Sequence, residues 1–264
     1  MSSRSLRLFV FFFFVAAVAA ASAQQPLRIC ADPDNLPFSN RAGQGFDQRI
    51  VALVAHDLHR TPVYVWARPR RGFLREQFNK NACDMLLGVP VGMRGVAVSN
   101  PYYASAYVFV TPAREHLQIA SFTDPHLNGR RIGLQVLEED LAPPSIPLIR
   151  AGHAPQLVGF DGFGSAEGDV VRAVSTRKVG AACVWGPVAG YYAARSHTPL
   201  SLTPVSPLRD PSGIPFAYRI GFAVHKRDTV LLADLNASIA RLQPQIRQVL
   251  ASFHVPTLAP EEVQ

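Results

Sequence analysis

The chain has 264 residues, 26 of them Lys or Arg and 19 Asp or Glu, for a formal charge of +7. Discounting Arg4 and Arg7, which precede the first apolar run, leaves +5 on the rest, and the basic residues are scattered along it, which excludes a nucleic-acid footprint. The densest local group, Arg68, Arg70, Arg71 and Arg75, reads as solvated surface or as a contact for an acidic ligand or partner.

Arg4 and Arg7 lead into an unbroken apolar run from Leu8 to Ala21, and Ala21-Ser22-Ala23 offers the small residues that a signal peptidase requires. Residues 1–23 are therefore expected to be a cleaved signal peptide, with a mature periplasmic chain starting at Gln24. The run is shorter than the roughly 20 residues of a membrane span. What remains suffices for one large or two modest domains, each with a core.

After the leader the elements alternate. "LRICA" reads as a strand, and Phe46, Ile50, Leu53, Val54 and Leu58 recur at helical spacing. "PVYVWA" follows as a strand, then a short helix through Phe73 and Phe78, then "DMLLGV". This is a parallel β-α-β-α-β unit, and its ligand-bearing loops should lie at the carboxyl ends of the strands: Asp32 to Phe38, Arg68 to Phe73, and Gly88 to Arg94.

A second set starts near residue 112 with "RIGLQV", "PQLVGF", a helix through Val170, Val171 and Val174, and "AACVWG". "YRIGFAVHK" then reads as a buried strand, followed by a long helix with Leu231, Leu235, Ile239 and Leu242 on one face. The expected fold is α/β, with two lobes, two hinge crossovers near residues 108–113 and 200–205, and a cleft between. Lobe one takes residues 24–111 and 205–264; lobe two is the insertion 112–204.

Three cysteines in an exported chain suggest one bridge and one thiol left over. If "LRICA" and "CDMLLGVP" are parallel neighbours, Cys30 can reach Cys83, leaving Cys183 buried; three buried thiols are the other reading. Closing that loop would contribute about 4 kcal/mol in the chain-entropy estimate.

Several segments together carry a resemblance: "CADPDNLPFSN", "RRGFLR", "CDMLLGVPVG", "NPYYASAYVFV", "ACVWGPVAGYYAA" and "FHVPTLAP". The chain resembles the type II periplasmic substrate-binding proteins, and more narrowly those associated with quinoprotein methanol and alcohol dehydrogenases, the MoxJ/XoxJ type. The likeness extends over essentially the whole mature chain. It implies an accessory protein for a pyrroloquinoline-quinone (PQQ)-dependent dehydrogenase, with that enzyme and its cytochrome c as partners.

The alternative is the receptor of an ABC importer, of the amino-acid type, with a permease as partner. Amino-acid receptors of this fold grip a carboxylate from both lobes. Arg94 could stand in for the first half of the grip, but "VLEEDLAPPS" puts acidic residues where an anion-binding helix start belongs. In the resulting cleft, Asn35, Pro37 and Phe38 form one wall. Arg70, Arg71, Phe73, Arg94, Tyr102 and Tyr103 complete the lobe-one side, and Gln135 and Trp185 face them.

Each of these also has a structural reading, with the aromatics packed in the core or hinge and the arginines solvated or ion-paired. Asp32 and Asp34 fall short of a hard-cation ligand set and suit an Asx turn. No G-x-S-x-G elbow occurs, "GFGSAEG" misses the phosphate-loop and dinucleotide spacings, and His56 and His59 lack an E-x-x-H context for zinc. The reading is a non-enzyme without cofactor or metal, with a hydrolase or dehydratase on the same fold as the less favoured alternative.

Overall fold

The structure, a computed structural model, describes residues 25–68, 72–137 and 140–263. The leader, Arg70, Arg71 and the acidic pair Glu138 and Glu139 lie outside the described residues.

Strand β1 (Pro26–Ala31) leads into a hairpin of two short strands, β2 (Asp34–Asn35) and β3 (Ser39–Asn40), and then helix α1 (Phe46–Asp57). Strand β4 (Thr61–Trp66), helix α2 (Phe73–Glu76), strand β5 (Met85–Pro90) and the short β6 (Ala97–Val98) complete the first unit. The expected helix through Phe73 and Phe78 is two pieces, since a separate 3-10 turn (Phe78–Lys80) ends on Asn81 in a left-handed conformation. β1 pairs in parallel with both β4 and β5, with Ile29 opposite Met85 and Cys30 opposite Leu86. That register sets the Cα atoms of Cys30 and Cys83 5.5 Å apart, and the two form a disulfide while Cys183 is a buried thiol.

The long strand β7 (Tyr103–Pro112) follows, then β8 (Ile132–Leu137), β9 (Asp140–Leu141), helix α3 (Ser145–Arg150) and β10 (Leu157–Asp161). Helix α4 (Asp169–Ser175), β11 (Ala181–Trp185), α5 (Gly186–Ala193) and β12 (Leu200–Pro204) finish the second unit. β13 (Ala217–Val224) and α6 (Thr229–Ser252) return to the first. The strands join in one curled sheet of order β10-β8-β11-β7-β13-β5-β1-β4, with two lobes built on its two halves.

β7 is shared. Tyr103 to Ala106 pair with β13, whereas Tyr107 to Val110 pair with β11, and β12 runs along the other edge of its second half. The lobe limits expected from the sequence fall near the ends of β7 and β12. On the first half, α1 and α6 pack on the sheet, burying Phe46, Ile50 and Val54 against Leu235, Ile239 and Ile246. Fully burying each such side chain contributes about 1.5–3 kcal/mol.

Beyond α6 the chain forms a strap over the junction of the halves. Ser105 Oγ donates to the Pro256 carbonyl at 2.5 Å and the Leu258 amide donates to the Ala104 carbonyl at 2.9 Å. Val263 packs on Ala104, Ala106 and Ala217. Gly190 of α5 lies against the strap so closely that a Cβ there would sit 1.9 Å from the His254 carbonyl oxygen.

Two outcomes follow for thermal and urea unfolding. Cys83→Ser should remove about 4 kcal/mol, lowering Tm by about 10 °C. Gly190→Ala should cost about 3 kcal/mol and make the segment after Phe253 the first site of limited proteolysis; an unchanged midpoint with an intact tail would contradict this packing.

Candidate functional site

The loop after β1 shapes the site from its backbone outward. The Phe46 and Asp47 amides, which have no acceptor within α1 because they lie at its start, donate to the carbonyls of Pro37 and Phe38 at 2.8 and 3.1 Å. Such an approach requires glycine at position 45, where a Cβ would lie 2.0 Å from the Phe38 oxygen. Gln48 Oε1 accepts from the Asn40 amide at 2.9 Å and holds the hairpin to the helix. The loop is thereby pinned with Asn35 and Phe38 turned into a cavity of about 650 Å³ at the carboxyl ends of β1 and β5.

Five residues expected in the cleft meet around this cavity: Asn35, Phe38, Phe73, Tyr103 and Trp185. Pro37 stands behind the wall, engaged through its carbonyl. Tyr102 is 2% exposed, its hydroxyl donating to Asp47 Oδ1 at 2.7 Å and accepting from the Gly88 amide at 3.2 Å. Gln135 is buried too; its Nε2 donates to Glu167 Oε1 at 2.9 Å, and its Oε1 accepts from the Trp185 amide at 3.4 Å. Arg94 is exposed and is not part of the lining.

Trp185 joins the halves. It packs against the cores of both and lies edge-on to Tyr107 and Tyr218 with ring centroids 5.5 and 5.7 Å away. At the rim, Tyr192 of α5 donates to the Leu36 carbonyl at 3.2 Å, so the opening loop also touches the second lobe.

The sequence reading passed over Asp47, Leu74, Leu86 and Met93, which line the cavity. For Met93 the sequence carries a signal, since it lies in the loop from Gly88 to Arg94 at the carboxyl end of a strand. Asp47 sits in the first turn of α1, where an acidic residue is ordinary and gives no sign of burial. Among the described residues no group of three or more His, Cys, Asp or Glu is placed to hold a metal ion. Asp32 Oδ1 instead accepts from the Asp34 amide at 2.9 Å, as in an Asx turn.

Comparison with known proteins places this architecture. The chain is 30% identical over 253 residues to Protein MoxJ of Methylorubrum extorquens, covering 88% of this chain and 81% of that one. The chain belongs to the MoxJ family. Two solved structures agree with that assignment: MxaJ from Methlophaga aminisulfidivorans MPT, at 29% identity and TM-score 0.77, and the periplasmic binding protein XoxJ from Methylobacterium extorquens AM1, at 31% and 0.73. The match covers 88% of this chain in each case, with 100% of the first structure and 99% of the second. No protein-family model matches the sequence.

Two buried carboxyls give this MoxJ-family chain its electrostatic character. Burial pushes Asp47 up to about 7, against the opposing effect of the Tyr102 hydrogen bond. Burial likewise pushes Glu167 up to about 8; the Gln135 hydrogen bond opposes this, and the charges of Asp161 and Asp32 add to it. Glu167 Oε2 is buried without a hydrogen-bond partner among the described residues.

Because both carboxyls hold protons more tightly folded than unfolded, their contribution to stability is fully present below the ordinary carboxylate range. It is lost as pH rises through about 7 for Asp47 and about 8 for Glu167. Glu167→Gln should therefore match the parent Tm at pH 5 and exceed it by about 5 °C at pH 9 in paired melts. Equal melts at both pH values would contradict the burial of a charged Glu167.

Proposed function

We propose that this protein is an exported, periplasmic accessory protein of a PQQ-dependent methanol or alcohol dehydrogenase, and that it works by holding an apolar group in the lobe-one cavity. The observation that carries the reading is the chemistry of that cavity in a member of the MoxJ family. Its walls are Phe38, Phe73, Leu74, Leu86 and Met93, closed on one side by Trp185. At about 650 Å³ it is of the size and apolar character that organic groups occupy.

The paired grip that amino-acid receptors use has no counterpart among the described residues. Arg94 stays outside the lining, and α3 begins only at Ser145 with no side-chain cap. The receptor of an ABC importer is therefore the weaker reading, and among the described residues of the cavity none has the nucleophile-and-base pairing that would suggest turnover. Export by residues 1–23 and the division into lobes at 111/112 and 204/205 belong to the same proposal.

Met93 gives the test its variant, because it lines the cavity and is 39% exposed, so replacing it should leave the fold intact. With the mature chain as bait in periplasmic extract, a quinoprotein dehydrogenase should be recovered, and Met93→Asp should lower its yield by about tenfold or more. Failure of the folded bait to recover any dehydrogenase would overturn the partner reading. Equal recovery with Met93→Asp would overturn the cavity as its contact.

A further inference from the structure

One half of the molecule builds almost all of the cavity. Among the described lining residues Trp185 alone comes from the second half, and β11 holds it in register with β7, opposite Tyr107. A two-lobed receptor completes its site by swinging one lobe onto the other about the crossovers. Here Phe38, Phe73, Leu86 and Met93 already enclose the space from the first half.

The second half is also tied down at points away from the crossovers, and helix α5 carries most of the ties. In its first turn a Cβ on Gly186 would lie 2.6 Å from the Ala106 carbonyl oxygen and 3.2 Å from the Pro256 ring. One turn later a Cβ on Gly190 would lie 3.0 Å from the same ring. Glycine at both positions lets the strap lie directly on the helix.

Tyr191, the next residue, is 8% exposed and belongs to the core of the first half. Its ring stacks on Phe253 with centroids 5.8 Å apart and planes at 17°. Phe253 in turn meets Phe46 of α1 edge-on at 5.8 Å, and the Arg49 guanidinium lies over its ring at 4.8 Å. A helix that belongs to the second half by sequence thus contributes a ring to the core of the first.

Two more ties lie at the rim. Tyr192 reaches the Leu36 carbonyl, and the turn Gly164–Ala166 comes so near the opening loop that a Cβ on Gly164 would lie 3.6 Å from the Asp34 carbonyl oxygen. Rotation about the crossovers moves every point that is off their line, so these contacts and those of the strap cannot survive a swing. Motion between units is the ordinary expectation where their contact is small and polar, and this one is aromatic and apolar.

We propose that the strap, residues 254–263, is a lock that holds the two halves in one arrangement whether the cavity is empty or full. An occupant then enters and leaves through a fixed mouth beside Met93. Occupancy leaves the outer shape unchanged, and a partner of this protein meets the same surface in either state. The route of entry rests on the cavity being a binding site, as argued above; the lock stands on the contacts alone.

Double electron–electron resonance tests this directly. Ala154 in the second half and Ala237 on α6 are exposed, and spin labels on cysteines placed there report the separation of the halves. Cys183 is buried and Cys30 is bonded to Cys83, so the labels go to the introduced thiols. The mature chain should give a single narrow distance. A chain ending at Phe253, which lacks the strap, should give a broadened or second distance. Gly190→Ala, which forces the strap off α5, should do the same and keeps the test open if the truncated chain fails to fold. Two distances in the mature chain, or an unchanged narrow distance in a folded strap variant, would overturn the proposal.

Saturation with N-phenyl-1-naphthylamine, a neutral apolar probe whose fluorescence reports uptake, should leave the distance in the mature chain where it was. A shift on uptake would overturn the lock. Absence of uptake would instead count against the cavity as a binding site, while the distances still decide the lock.

Discussion

All ten residues of β7 are buried, because this strand belongs to both halves of the molecule. Its first residues take hydrogen bonds from β13 and its later ones from β11 and β12. Strands on both edges of its second half, and β13 with the strap's bond to the Ala104 carbonyl on its first, engage its backbone, which allows the run from Tyr103 to Pro112 to be apolar or small on both faces. The two lobes cannot be assembled independently of it. The position of Trp185 follows from the same constraint, since β11 is held beside β7 with Trp185 opposite Tyr107.

The cavity's character is set by which groups this framework desolvates. Phe46 and Asp47 begin α1 at a point already covered by the loop after β1, so a carboxyl that would stabilise an exposed helix start is instead enclosed. Tyr102 offers one hydrogen bond, which is less than water provides, and burial outweighs it. The outcome is a chamber that is mostly hydrocarbon with an acid near neutrality in its wall. Glu167 repeats the pattern behind the chamber, where Gln135 links it to the backbone of Trp185.

Much of this was legible locally. The period of Phe46, Ile50 and Val54 is a helix's own, and the uninterrupted "YRIGFAVHK" suits a strand buried on both faces. Reading "LRICA" and "CDMLLGVP" as parallel neighbours makes the Cys30–Cys83 pairing geometrically reasonable from sequence alone. What stayed hidden depends on contacts between distant residues. Tyr102 meets Asp47 across 55 positions, and Gln135 meets Glu167 across 32, with no periodicity to mark either.

Arg94 illustrates a different difficulty. Its loop sits where α/β folds place ligands, and Met93 beside it does enter the cavity. Gly92 and Gly95 flank the pair with φ of +91° and +93°, and within so tight a turn neighbouring side chains diverge, leaving the arginine exposed. Which of two adjacent residues faces inward is decided by these backbone reversals, and composition carries no trace of it.

The disulfide described with the fold has a meaning beyond the loop that it closes. Cys30 is part of the cavity's lining, and the bond ties β1 to the segment entering β5, the two strands whose ends form the chamber's floor. A chain with reduced cysteines has the same sequence around that floor but only packing to hold its two edges in register. Oxidation therefore finishes the chamber as well as bracing the protein, and the capacity to take an occupant begins with a chemical step that cytosolic reductants oppose.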